Sequence, residues 1–239
     1  GLDARSRRFY ASAMTSIVIA VDGTAASGKG TLAKKLAAHF GFAHLDSGAL
    51  YRLAALSVLE TGGDPASEAD ALKGAQTMDF NRAGDPKIRT DIVGKAASQV
   101  AAIRAVREAL LDFQRNFLAH PPGGSPGAVM DGRDIGTVIC PTAAAKLYID
   151  AGLEVRARRR WAELKAMGIR RAEQDVVAEL AARDAADKSR PISPLKQAPD
   201  ADLLDTSDLG IDAAFAAALA LVSPKVAKAL GASKDRHRG

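Results

Sequence analysis

One stretch constrains the fold of this chain more than any other: residues 17–31, IVIAVDGTAASGKGT. Ile17 to Val21 are all apolar and mostly β-branched, the composition of a strand buried on both faces of a parallel sheet. A glycine-rich loop, Asp22 to Gly28, follows, and Lys29, Gly30 and Thr31 open an amphipathic run. Strand, glycine loop, Gly-Lys and helix together form a phosphate cradle, with Gly23, Thr24, Ala25, Ala26, Ser27, Gly28, Lys29, Gly30 and Thr31 as its candidate residues. The glycines let backbone N–H groups turn toward an anion, and the helix N-terminus adds partial positive charge. Lys29 supplies a full charge, and Thr31 offers a hydroxyl to magnesium. The strict spacing puts Ser or Thr directly after Gly-Lys. Here Gly30 takes that place and Thr31 comes one position later. A surface turn rich in small residues is the competing reading, and the flanking strand and helix speak against it. The motif implies a bound nucleoside triphosphate and leaves its fate open.

The rest of the chain alternates helical and strand patterns. Apolar spacing predicts a helix over 31–40 ended by Gly41, a second strand over 42–45, and a helix from Ala49 to about Leu59. A turn-rich stretch, 81–86, is flanked by short helical patterns. A helix over 96–102 breaks and resumes over 104–118. Strands are expected at 128–130, 145–150 and 202–205, and helices at 154–167, 173–187 and 211–222. From Lys225 the chain is basic, poor in large apolar residues and expected to fray. Alternation of this kind gives an α/β fold, a five-stranded parallel sheet covered on both faces. Ligands of such sheets bind at the carboxyl ends of the strands. The polar clusters 22–31, 46–52 and 131–137 each follow a strand, so all three are expected to face one crevice.

Nearly half the residues are apolar, with alanine prominent and aromatics few, which favours packed helices over an all-β fold. The net charge of +5 suits an anionic partner but is weak evidence for nucleic acid. A lone cysteine, Cys140, cannot pair within the chain and fits a reducing cytoplasm. The longest apolar run, Ala213 to Val222, is too short to span a membrane. Residues 1–13 are polar and read as an extension ahead of a natural start at Met14.

Two further clusters carry chemistry. Asp131, at the end of the third strand, is placed like an acid that holds magnesium. Arg133 can fork onto a phosphate, and Asp134 can accept from an exocyclic amine or a hydroxyl. A local Arg–Asp pair in a charged turn is the bland alternative. Ser47 and Arg52 lie at the start of a helix that is capped by Asp46 or Ser47 and is itself attractive to anions.

Four blocks, GTAASGKGT, LDSGALYR, AASQVAAIRAVREAL and GRDIGT, with a fifth, RDAADKSRPISPL, resemble the bacterial cytidylate kinase family over residues 16–222. The resemblance implies a three-layer P-loop kinase fold with an NMP-binding insertion at about 53–107 and a lid at about 154–192. These lie within a single domain, 14–222, followed by a basic tail, 223–239. It implies ATP at the phosphate loop, magnesium, and CMP or dCMP at Ser47, Arg52, Ser98, Arg107, Arg133, Asp134 and Asp187. Lys29, Arg133, Arg183 and Arg190 carry catalysis in this reading, with magnesium at Thr31 and Asp131, in a monomer. Between 72 and 97 the insertion looks short, with 80–90 too brief for the small sheet common in the family, which bears on pyrimidine selectivity. A kinase for UMP or AMP is the nearest rival, although the adenylate kinase Asp-Gly-Phe/Tyr-Pro-Arg signature is absent. An RNA-binding module is the rival of another class. Its support is the basic run Arg156, Arg158, Arg159, Arg160, Arg170 and Arg171, expected to be mostly solvated, with Arg159 or Arg160 near ATP.

Overall fold

The computed structural model describes residues 16–236, with side chains through 233. Five strands, β1 (Ile17–Gly23), β2 (Ala43–Asp46), β3 (Gly127–Gly132), β4 (Ala145–Asp150) and β5 (Asp202–Asp205), form one sheet in the order β2-β3-β1-β4-β5. Every neighbouring pair is parallel. The central strand β1 is buried along its whole length, and its side chains divide by parity. Ile17, Ile19 and Val21 pack with Leu32 and Leu36 of α1 (Lys29–Phe40) and Ala214, Ala218 and Val222 of α8 (Ile211–Arg236). Val18 and Ala20 face the opposite layer. That layer is built from α2 (Ser47–Glu60), α3 (Glu68–Thr77), α4 (Asp91–Ala101) and α5 (Arg104–Ala119). A hairpin of α6 (Leu153–Ala166) and α7 (Glu173–Ser189) stands over the carboxyl ends of the strands.

Several boundaries differ from the sequence expectation for identifiable reasons. β1 runs two residues further, so Asp22 and Gly23 belong to the strand. A Cβ on Gly23 would lie 2.1 Å from the Ile149 carbonyl oxygen, so glycine is required there by the approach of β4. Helix α4 starts at Asp91 because Thr90 caps it, accepting from the Val93 N–H. The expected break before Arg104 is present. Between α3 and α4 the chain makes two 3₁₀ turns, Phe80–Gly84 and Pro86–Arg89, and no strand occurs there among the described residues.

The largest correction is at the C-terminus. Helix α8 continues through Pro224 to Arg236, where fraying was expected from Lys225. Proline costs one hydrogen bond on the exposed side. The buried stripe Ala214, Ala218, Val222, Val226 keeps its spacing and carries the helix past it. By length and mean hydropathy the segment Ile211–Ser233 could cross a membrane, which the sequence reading excluded for every run. The stripe packs on the sheet, and 22% of the apolar stretch is buried. The expected extension 1–13 and the start at Met14 lie outside the described residues.

Candidate active site

The loop between β1 and α1 turns through two left-handed residues, Ala26 (φ 59°) and Gly28 (φ 89°). Ala26 adopts a conformation that costs an L-residue roughly 1 kcal/mol. The loop is held from below. Thr24 Oγ1 donates to Asp150 at 2.7 Å, and Ser27 Oγ donates to the Thr24 carbonyl at 2.8 Å. Gly23 and Thr24 therefore anchor the loop and do not line the cavity, whereas Ala25 to Leu32 do. That cavity, about 590 Å³, also takes in Asp46, Arg52, Asp131, Arg133 and Arg183, so the three polar clusters face one crevice as expected.

Lys29 is half-buried at the head of α1. Removal from water, reinforced by Arg133, lowers its pKa to about 7, while Asp131 and Asp46 oppose the shift. Asp131 is buried at the end of β3 beside its register partner Asp46. Its Oδ1 is held by His44 Nε2 at 2.6 Å, and its Oδ2 faces the first turn of α1, where a Cβ on Gly30 would sit 3.6 Å away. The residue opposite Asp131 is thus Gly30. Thr31 follows about 100° further round the helix and is exposed on the same cavity.

A second, smaller pocket of about 60 Å³ adjoins the first through Gly48, Arg52, Gly132, Arg133 and Arg183. Ser47, Ser98, Arg107, Asp134, Asp187 and Arg190 join Arg52 and Arg133 in its lining, so all seven residues matched to CMP contact meet in one place. The pocket is internally paired. Arg107 donates to Asp134 at 3.1 Å, to Tyr51 Oη at 3.3 Å and to the Ala101 carbonyl at 2.6 Å. Arg133 donates to Asp187 at 2.7 Å. Burial would raise Asp187, but the charge and bond of Arg133 outweigh it and hold the carboxyl below the usual range. Ser47 Oγ donates to the Asp131 carbonyl at 2.8 Å, while Asp46 caps α2 by accepting from the Ala49 N–H. Ser98 Oγ turns back on its own helix to Gly94 at 3.3 Å.

Three arginines lie where the cavities meet. Arg52 donates to the Ile88 carbonyl at 2.8 Å, and burial followed by Arg89 lowers its pKa to about 10. Arg183 is lowered to about 10 by burial, then by Arg133 and Arg52, and its Nε has no partner. Such a cluster of like charge is costly unless an anion enters it. Arg190 is differently placed. Its Nε and Nη2 hold the Ser193 carbonyl at 2.9 and 2.6 Å, so it shapes the 190–193 turn as well as lining the pocket.

The basic hairpin is not a solvated face. Arg156 is buried and forks onto Asp184 at 3.1 and 2.6 Å. Arg159 lines the larger cavity and donates to the Thr206 carbonyl at 2.5 Å. Arg160 and Arg171 reach Asp91 of α4 at 3.4 and 2.9 Å, and Arg160 does not line the cavity. Only Arg158 and Arg170 of this run are well exposed. The expectation that most are solvated is therefore corrected: a helix packed over a crevice spends its arginines on fixed partners.

Sequence reasoning missed six contributors. Thr206, Leu209 and Ile211 line the far end of the larger cavity; the rule that ligands bind beyond strand ends pointed to them, since Thr206 follows β5. Arg89 reaches Asp46 at 3.3 Å from the second 3₁₀ turn, Pro86–Arg89, and nothing in that short stretch marked it. Tyr51 was hidden in a helix that reads as core; burial pushes its phenol up to about 12. Asp22 accepts the N–H groups of Ile135 and Gly136, each at 2.8 Å, and burial pushes its carboxyl up to about 7 despite them.

Relatives of known name share this arrangement of sequence. A profile described as cytidylate kinase matches residues 19–223. A cytidylate kinase of Nitrobacter winogradskyi is 52% identical over 206 residues, which cover 86% of this chain and 95% of that protein. One of Rhodospirillum rubrum is 49% identical over 212 residues, covering 89% and 100%. Among solved structures, a Thermus thermophilus protein aligns over 86% of this chain and 97% of its own at 21% identity and a TM-score of 0.42, too distant to inform the site. With a matching profile over most of its length and relatives identical at half their positions, this chain belongs to the cytidylate kinase family.

Proposed function

We propose that this chain transfers the γ-phosphoryl group of ATP to the phosphate of CMP or dCMP, giving ADP and CDP or dCDP. The observation that carries the reading is the junction of the two cavities at Arg52, Arg133 and Arg183. An acceptor phosphate and a donor phosphate brought together there repel, and three cations at that point offset the repulsion. In the transfer, an oxygen of the acceptor phosphate bonds to the γ-phosphorus while the bond to the β–γ bridging oxygen breaks. Little covalent work falls to the protein, so positioning and charge neutralisation dominate.

In this reading the backbone of residues 25–31 and Lys29 hold the donor phosphates, and the purine lies toward Thr206, Leu209 and Ile211 beneath Arg159. Arg133 and Arg52 hold the acceptor phosphate. Asp134, Ser98 and Arg107 face the cytosine, and Asp187 faces the ribose. Arg183 acts on the transferred group, and Arg190 shapes the lid turn that closes over it. Asp131 fits magnesium: it is a hard oxygen donor with one oxygen facing the helix turn, beside a second carboxylate, which suits an ion kept largely in water and phosphate oxygen. Thr31 is the second candidate on that turn. Magnesium, when bound, neutralises charge on the donor phosphates. One chain carries both cavities, which supports a monomer. A single buried thiol supports the cytoplasm. The engaged arginines of the lid remove the main support for RNA binding.

Initial rates with CMP, dCMP, UMP and AMP, each with and without magnesium, test this. Turnover should be greatest with CMP or dCMP and should require the metal. Preference for AMP or UMP, or full rates in chelator, would overturn it.

A further inference from the structure

We propose that Asp22, which lines neither cavity, is a positioning residue: from the donor strand it caps the helix that follows Arg133 and Asp134 and so aims both at the acceptor. The inference rests on the reading of the acceptor pocket above. After Asp134 the chain forms one π-helical turn, Ile135–Ile139. The first N–H groups of any helix need acceptors, and aspartate at the N-cap commonly supplies one. Asp134 occupies that position and makes no such bond. Asp22 does so in its place, one carboxylate oxygen to Ile135 N–H and the other to Gly136 N–H, both at 2.8 Å.

The consequence is chemical. Relieved of capping its own helix, Asp134 turns its carboxylate to Arg107 in the smaller pocket. Arg133, one residue earlier, reaches Asp187 on α7. Asp22 is 5% exposed and has no second purpose in the cavities. It also directly precedes Gly23, which is locked against β4. The start of the phosphate loop and the residues that read the acceptor are therefore tied by two bonds through one side chain. Base discrimination is then set partly from a residue that touches no nucleotide.

Asp22→Asn keeps the shape but leaves one of the two N–H groups facing an amide that cannot accept from it. Asp134 then becomes the nearest competitor for its own helix. We expect kcat/KM for CMP to fall about tenfold, and the CMP-to-UMP ratio of kcat/KM to fall with it, as when one charge-assisted bond is lost. The Kd for ATP, measured calorimetrically on the same protein, should stay within about twofold. Gly136→Ala shifts the turn that Asp22 holds without altering a buried charge, since its Cβ would crowd Lys146 Cδ at 3.0 Å while only touching Asp22 Oδ2 at 3.4 Å. It should shift CMP kinetics the same way, and it decides the matter if Asp22→Asn does not fold. Parental CMP kinetics and discrimination in the deciding variant would overturn the proposal. So would equal losses for ATP and CMP, which indicate general loosening, or a CMP loss with discrimination intact. A parent enzyme that does not favour CMP over UMP would instead overturn the acceptor reading itself.

Discussion

The two cavities are built on opposite plans. The larger one, about 590 Å³, is built around one continuous stretch, Ala25 to Leu32, which supplies about a third of its lining residues. The smaller one, about 60 Å³, is assembled from side chains of α2, α4, α5, the turn after β3 and α7, and those side chains already grip one another. Under the proposed function, a donor site on the loop is ready when the chain folds, whereas an acceptor in the smaller pocket would displace the internal pairs Arg133–Asp187 and Arg107–Asp134. Acceptor binding would then be tied to motion of α7.

The sharpest way to break this contrast is to remove a cation from each side. Lys29→Ala and Arg133→Ala should each lower kcat by roughly 10²–10³, the scale for losing one preorganised charge at a transition state. They should differ in what else they lose. Lys29→Ala should weaken ATP binding, whereas Arg133→Ala should raise KM for CMP and leave ATP affinity nearly intact. Calorimetric titration with each nucleotide separates them, and if both variants lost ATP affinity equally the two-plan picture would fall.

Arg183 sharpens the picture from the side of stability. It sits among Arg52 and Arg133 with an unpartnered Nε. Arg183→Met should cost about 10² in kcat while raising the stability of the ligand-free protein by about 1 kcal/mol, since a buried, unsatisfied Nε is removed from among like charges. Thermal unfolding should shift up by about 2–4 °C for a chain of this size. A variant both slower and less stable would show that Arg183 is a packing residue in the free enzyme.

The same contrast explains which parts of the molecule were readable in the sequence. The phosphate loop is local: strand, glycine turn, Lys29 and helix are consecutive, and their chemistry follows from spacing. β4 and β5 were also readable, as short apolar runs between helical patterns. The acceptor pocket is not local. Residue types alone left Arg133–Asp134 no better than a charged turn, and only resemblance gathered Ser98, Arg107 and Asp187 around it. Cross-chain ties such as Asp22 to Ile135 leave no periodic trace. Helix α8 was misjudged for a related reason. Pro224 is a strong local stop signal, yet Val226 buried against the sheet outweighs it.

Proton linkage offers a smaller and more specific test of the donor side. Lys29 titrates near 7 in the free protein against an ordinary 10.5, chiefly because it is removed from water. An anion at the loop favours the protonated form, so ATP binding near pH 7 should take up about half a proton, and affinity should fall by up to tenfold per pH unit above 7. Titrations in two buffers of different ionisation enthalpy measure the uptake, and none would mean the loop is already neutralised. Stability should follow with opposite signs. Holding Lys29 charged destabilises the fold fully below pH 7, a cost lost as pH rises toward 10.5. Asp22 is raised from 3.8 to about 7, so its burial as an anion costs nothing below 3.8 and most above 7. The ligand-free protein should therefore be least stable near neutrality from these two groups, with Lys29→Met removing the alkaline arm and Asp22→Asn the acidic one.

The smallest effect is expected where the two plans are joined from outside. Asp91 opens α4 and receives Arg160 at 3.4 Å and Arg171 at 2.9 Å from the α6–α7 hairpin. Both arginines and Asp91 are about a quarter to a third exposed, so the pairs are screened and worth roughly 0.2–1 kcal/mol each. Arg171 keeps Glu179 at 2.8 Å when Asp91 is gone, which lessens the loss further. If lid closure must also carry Asp187 toward the acceptor, Asp91→Asn should raise KM for CMP by about two- to fivefold with ATP affinity unchanged. The effect should vanish at high salt, because the parent loses the same pairs to screening. A change confined to ATP would place the latch on the donor side and make the lid a cover for the open cavity alone. A change in neither would leave α4 and the α6–α7 hairpin to move independently, with Arg133–Asp187 tying the hairpin to the turn after β3.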